Sequence, residues 1–376
     1  MKMKAAVLYD NNLPRPFRDS KPLVIEEVDL DPPGPGEVLV EIRAAGLCHS
    51  DLSAINGSRP RKLPSIPGHE AAGIVREVGQ GVTGVAVGDH VVTIVVTTCG
   101  KCGNCLNGRP NLCEATKEAR ANGTLQTGAR RLHIGNTPLN HYSGLSIFAQ
   151  YAVCSEQSLV PIAKDIPFEF ASLFGCAVVT GVGAVMNTAK VPAGVSAAVV
   201  GLGGVGLSAI MGLVAVGALP IVAVDPIQSK LDMARALGAT HAVQVAGDKF
   251  IDEIRDLTNG GVEFAFEMAG SIPAMNTAYA ITRRGGTTVT AGLPDLSKSL
   301  ALNHSSIVTE ERTVKGSYMG SCVPGRDIPK FLELYKNAKL PVEKLYSRTI
   351  GFDEINAAFD ELDSGNTIRQ VLNPHL

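Results

Sequence analysis

The chain has 376 residues, 45% hydrophobic and 19% charged, which excludes a disordered chain and makes two domains the expectation. Lys plus Arg number 34 against 36 Asp plus Glu, so a net charge of −2 offers no basic field for nucleic acid or an anionic membrane. Seven Tyr, eleven Phe and no Trp leave little surface for stacking bases.

At the N-terminus, MKMKAAVLYDNN holds an apolar run too short for a signal peptide, and a cytoplasmic protein is expected. Short apolar runs at 37–43, 72–78, 90–96 and 148–153 alternate with Gly- and Pro-rich turns, so residues 1–178 read as mostly β. The texture then changes. Val199, Val200 and residues 221–224 read as buried strands, with an apolar helix at 207–216 between them. The stretch 191–224 carries no charge and is long enough to span a membrane. Its glycines, its prolines and its strand-like ending IVAVD favour a buried strand–turn–helix–strand instead, and no membrane partner is expected. A helix at 229–237 follows, then strands at 242–245, 264–267 and 287–291. Strand alternating with helix predicts a doubly wound parallel sheet covered on both faces. Amphipathic helices are expected at 327–336 and 353–364. The parallel domain, 179–320, is therefore expected to be inserted in a discontinuous first domain, 1–178 and 321–376, giving an α/β protein.

Four of the eight cysteines, Cys99, Cys102, Cys105 and Cys113, fall within fifteen residues as C-x2-C-x2-C-x7-C. Four thiolates in a small Gly-rich lobe suit one tetrahedral zinc held with no open position, a structural site. An iron–sulfur cluster is the rival, but this spacing matches neither common ferredoxin pattern. Disulfides are the other alternative, and the absence of a secretion signal argues for a reducing compartment. A second set is dispersed. Cys48 lies twenty-one residues before His69, and Cys176 lies just before the parallel domain. Two thiolates and an imidazole make a zinc site whose fourth position stays open.

Gly201-Leu202-Gly203-Gly204-Val205-Gly206 is G-x-G-x-x-G between a predicted strand and a predicted helix. Gly201 makes the tight turn, Gly203 admits a pyrophosphate, and Gly206 lets helix pack on strand. The N–H groups of Gly204 and Val205 open the helix toward the anion. Asp225, nineteen residues after Gly206, stands where a carboxylate meets both ribose hydroxyls of adenosine. A 2′-phosphate there would meet like charge, so NAD is expected over NADP.

Gly68-His69-Glu70 with Gly73, Gly79 and Val82, the four-Cys lobe and the glycine loop together resemble the zinc-dependent medium-chain alcohol dehydrogenase family over essentially the whole chain. The resemblance implies a GroES-like catalytic domain joined to a Rossmann coenzyme domain. It implies that Cys48, His69 and Cys176 hold catalytic zinc and that Cys99, Cys102, Cys105 and Cys113 hold structural zinc, two ions per chain. Glu70 matches an acid that can approach the metal, and Asp51 a carboxylate that orients the ligand His. Ser50 matches the hydroxyl that takes the alcohol proton. Lys230 matches an adenosine-ribose lysine, Arg369 a pyrophosphate-binding arginine, and His49 a position that also meets pyrophosphate. Val95, Tyr142 and Leu293 match positions that line the substrate pocket. The resemblance thus implies NAD-dependent, reversible oxidation of a primary aliphatic or aromatic alcohol to an aldehyde.

The long segment after the Cys lobe resembles the dimeric animal and plant enzymes and the glutathione-dependent formaldehyde dehydrogenases, so a homodimer is expected, with a tetramer as the alternative. Two departures stand out. Ser53 occupies the place of a relay histidine, so His49, adjacent to Ser50, is the candidate base at the relay's outer end, with direct release of the proton from the ribose to solvent as the alternative. Residues 57–62, GSRPRK, lack the acid with which glutathione-dependent members meet the thiol adduct's ammonium group.

Overall fold

The computed structural model describes residues 1–247 and 249–376. They fall into two compact units: Met1–Cys176 with Val323–Lys330 and Glu343–Leu376, and Ala177–Cys322 with Phe331–Val342. One substantial stretch departs from the sequence boundaries. Residues 331–342 were expected with the first domain, yet they group with the second. The amphipathic pattern at 327–336 correctly marks a helix, Pro324–Lys336. Periodicity identifies an apolar face but not the core that takes it, and here Phe331, Leu340 and Val342 are wholly buried.

The first unit is built on two sheets. Lys2–Leu8 and Leu23–Leu30 pair antiparallel along their full length, two strands the sequence reading did not single out. The second sheet centres on Glu37–Gly46, flanked by Ala71–Val78 and Tyr151–Ser155, with Arg369–Leu372 joining at its far end. Glu37–Gly46 is buried almost throughout, as suits a strand covered on both faces. The run at 148–153 starts later as a strand, at Tyr151. Before that, the Phe148 carbonyl accepts from Ala6 N–H at 2.9 Å and so crosses to the first sheet. The run at 90–96 stops at Thr93, where Ile94 N–H turns to the Ser158 carbonyl at 2.8 Å.

The second unit is a six-stranded sheet whose strands pair parallel. Numbered in chain order within the unit, its strands lie 3-2-1-4-5-6, the doubly wound order. Ala197–Val200 and Val262–Glu267 flank the point where the order reverses. Ala198, Val200, Val222, Val224 and Ala265 form the core of the sheet. The uncharged stretch 191–224 becomes strand Ala197–Val200, helix Gly204–Val216 and strand Ile221–Asp225. Among the described residues no single helix is long and apolar enough to cross a membrane.

Candidate active site

Cys48 ends the turn after Glu37–Gly46 and stands immediately before the short helix His49–Ile55. His69 follows the strand Ser65–Ile66, and Cys176 ends the first segment of the first unit. These three buried residues bring one ligand atom each to within 4.8 Å of one another. Asp51, on the same helix as Ser50, is wholly buried and accepts from His69 Nδ1 at 2.9 Å and from Gly68 N–H at 3.1 Å. That hydrogen bond fixes the imidazole and leaves its other nitrogen for the sulfurs. The donor set, its closeness and the carboxylate behind the imidazole fit a zinc ion with an open position.

The surrounding charges favour thiolate at Cys48. Its pKa lies well below the usual thiol range, chiefly because Cys176 hydrogen-bonds to it, with the Arg369 charge adding to the effect. Arg369 is buried, donating to the Leu47 carbonyl at 2.9 Å and lying 4.0 Å from Glu70. Its Nε has no partner among the described residues. Burial pushes the Glu70 carboxyl up to about 7, against the pull of the Arg369 charge. Arg369 thus belongs to the first unit and neutralises charge beside Cys48. Its expected pyrophosphate contact rests on the resemblance.

The four-Cys lobe also converges, its ligand atoms within 4.8 Å of one another. Cys99 and Cys105 sulfurs lie 4.0 Å apart, near the roughly 3.8 Å edge of a tetrahedron built on ~2.3 Å zinc–sulfur bonds. Backbone N–H groups of Cys99 and Cys102 point at Cys113 and Cys99 sulfurs, at 3.4 and 3.3 Å. The Cys102 pKa falls to about 6, first through the Cys105 backbone. No disulfide joins any of the eight cysteines, so the disulfide alternative is not what the fold adopts.

In the second unit, Gly201 turns with φ +93°, a conformation open to glycine, and a Cβ there would press within 2.7 Å of Ala269. A Cβ on Gly203 would meet nothing within 4 Å, so the space beside it is open. Helix Gly204–Val216 begins there without a side-chain cap, which leaves its first N–H groups facing that space. This cradle fits a pyrophosphate. Asp225 ends its strand and accepts from Leu202 N–H at 2.8 Å and Ile227 N–H at 2.9 Å. It therefore also braces the loop. Lys230 sits half-buried on the helix Gln228–Ala236.

His49 and Ser50 open the helix His49–Ile55, His49 exposed and Ser50 half-buried, and Ser53 donates back to the His49 carbonyl at 2.8 Å. Val95 and Tyr142 are buried in the first unit. Leu293 belongs to the second unit and is 49% exposed. Three contacts escaped the sequence reading. Tyr142 hydroxyl donates to the Ser50 carbonyl at 2.9 Å. Arg120 donates to the Val95 carbonyl. Glu267, buried at a strand end, accepts from Ala269 and Gly270 N–H and from Thr290 Oγ1. The acid that ends the apolar run VEFAFE was the one available signal for Glu267.

Residues 34–164 match the family model for the alcohol dehydrogenase GroES-like domain, and residues 204–337 that for zinc-binding dehydrogenases. A relative from Paracoccus denitrificans, S-(hydroxymethyl)glutathione dehydrogenase, is 37% identical over 362 residues, spanning 94% of this chain and 96% of its own. The crystal structure of benzyl alcohol dehydrogenase from Acinetobacter calcoaceticus superposes with a TM-score of 0.91 at 32% identity, over 99% of both chains. An alcohol dehydrogenase zinc-binding domain protein from Burkholderia ambifaria gives 0.92 at 33%, also over 99% of both. Two domain models in order and full-length likeness at this identity leave one family: the chain belongs to the zinc-dependent medium-chain alcohol dehydrogenases.

Proposed function

We propose that the protein oxidises a primary alcohol to an aldehyde with NAD, reversibly, and carries two zinc ions per chain. The observation that carries this reading is the buried trio Cys48, His69 and Cys176 beside Ser50, with Asp51 behind the imidazole. Cys48, His69 and Cys176 would hold the catalytic ion, and Cys99, Cys102, Cys105 and Cys113 the structural one. Zinc held there supplies Lewis acidity that lowers an alcohol's pKa, and NAD supplies the hydride acceptor. Asp51 holds the imidazole in one orientation. Ser50 takes the alcohol proton and passes it outward, its backbone held by Tyr142. Val95 and Tyr142 offer the substrate an apolar wall.

The glycine cradle and Asp225 favour NAD, since the carboxylate would repel a 2′-phosphate. Arg369, His49 and Lys230 are proposed cofactor contacts, and Leu293 a pocket residue. The protein is proposed to be a homodimer, with a tetramer as the alternative. Strand Thr313–Gly316 supports association, because it closes the parallel sheet with an exposed edge. Eight free cysteines fit a reducing compartment, which supports a cytoplasmic location.

The test is turnover of an alcohol panel followed by NADH absorbance, with elemental analysis alongside. Two zinc per chain are expected, and Cys176→Ser should lose one zinc and about a thousandfold or more of the rate. One zinc in the wild type, or stoichiometric iron, overturns the assignment. A strict requirement for added glutathione with formaldehyde would favour the glutathione-adduct reading that the Paracoccus relative's name suggests.

A further inference from the structure

A narrow cleft in the first unit is lined by Arg61, Lys62, Ser65, Arg120, His141 and Tyr142, together with glycine and serine, and no acid. Arg61 and Lys62 are exposed and pair with no carboxylate among the described residues. Arg61 lies over the Tyr142 ring at 5.8 Å, on a ring whose centre is 6.1 Å from that of His69. Arg61 therefore stands one aromatic ring away from the proposed zinc ligand His69.

The buried members of the lining present donors as well. Ser65 Oγ and His141 Nδ1 are buried and have no partner among the described residues. His141 Nε2 accepts from Arg131 N–H at 3.1 Å. Burial pushes the His141 pKa down to about 4, so the ring is neutral at pH 7 and its proton sits on Nδ1. Around this cleft, then, stand two exposed cations, the His141 ring N–H and the Ser65 hydroxyl. A ligand that only accepts hydrogen bonds completes that set.

We propose that this cleft is a subsite for a carboxylate borne by the alcohol substrate, with Arg61 as its main contact. The inference rests on the alcohol dehydrogenase reading above and names its substrate class: alcohols whose far end carries a carboxylate. The enclosed space measures about 10 Å³, which admits one water. The carboxylate therefore sits at the rim, against Arg61 and Lys62, rather than inside the cleft. The same segment, GSRPRK, carries cations where glutathione-dependent members carry an acid, which turns that departure into a preference of opposite sign.

The experiment pairs benzyl alcohol with 4-(hydroxymethyl)benzoate, in wild type and Arg61→Gln, at low and high salt. The wild type should favour the carboxylate by about tenfold or more in kcat/KM, through KM, and lose that preference as salt rises. Arg61→Gln should collapse the ratio toward one, and Arg61→Lys should restore part of it. Calorimetric binding of the two compounds reads the subsite without turnover. If no alcohol turns over but the carboxylate still binds tighter through Arg61, the enzyme reading fails and the anion subsite stands. Glutathione with formaldehyde forms a third arm: turnover of that adduct lost in Arg61→Gln identifies a peptide as the source of the same anion. Equal affinity for the two alcohols in wild type, or an unchanged ratio in Arg61→Gln, overturns the proposal.

Discussion

Asp51 and Asp225 show how a buried carboxylate earns its place through backbone as well as ligand. Asp51 braces Gly68 and His69, and Asp225 ties the glycine turn at Leu202 to the turn at Ile227 that follows its own strand. Removing Asp225 outright would therefore confound cofactor choice with loop stability. Asp225→Asn keeps an acceptor oxygen and deletes the charge. It should weaken NAD by about tenfold and narrow the preference against NADP, measured by KM for both cofactors. A wild type that already prefers NADP contradicts the assignment of Asp225. His49 is the second residue-level test. It is exposed at the start of the Ser50 helix, and Ser53 beyond it cannot titrate near neutrality. If His49 is the base that ends the relay, His49→Gln should slow oxidation about tenfold or more near pH 7, and imidazole buffers should recover part of the rate. An unchanged maximal rate with weaker NAD binding would reduce His49 to a cofactor contact.

Among the elements, the strand Glu37–Gly46 carries a buried acid at its first position. The Glu37 carboxylate accepts from Arg131 Nε at 2.7 Å, Thr127 Oγ1 at 2.6 Å and Gly34 N–H at 2.8 Å. Burial alone would raise its pKa, but Arg131 and these hydrogen bonds outweigh burial and hold it below the ordinary value. With the folded pKa depressed, its stabilisation is present above the unfolded pKa of about 4.3 and lost as pH falls through the folded value. Glu37→Gln should therefore cost about 2 kcal/mol at pH 7 and progressively less below pH 4, read from urea midpoints at both pH values. A gap that does not shrink in acid would remove the charge from the explanation. The Cys lobe is a contrasting element: its helix Gly103–Leu106 and its turn Pro110–Leu112 are too short for a core, so the structural zinc proposed above would order it.

At the scale of the whole molecule, the exposed edge strand Thr313–Gly316 would carry the proposed association. Val314 on that strand is 39% exposed, and Val308 before it is 65% exposed. A second copy pairing across a two-fold axis would extend the sheet and cover the edge. Val314→Lys should shift the protein toward monomer in light scattering, and an unchanged mass would place the interface elsewhere. The division of the chain also belongs to this scale. Val323–Lys330 and Glu343–Leu376 return to the first unit, while Phe331–Val342 stays with the second.

The sequence by itself determined the fold class, the two Cys sets and the nucleotide loop. Those features are local or patterned: C-x2-C-x2-C-x7-C and G-x-G-x-x-G work through spacing along a few residues, and parallel strands buried on both faces read as uncharged runs. Cys48, His69 and Cys176 were legible through the family likeness, though 128 positions separate the first from the last. The tertiary structure alone decided what no spacing encodes. It alone set Lys2–Leu8 on Leu23–Leu30, placed the Arg369 guanidinium beside Cys48, and routed Phe331–Val342 to the second unit. It alone laid Arg61 over Tyr142 and left the buried His141 Nδ1 with no partner among the described residues. The physical reason is common to all of these. Strand pairing, burial and charge neutralisation depend on which distant surfaces meet, and a chain's own periodicity carries the face but not its partner.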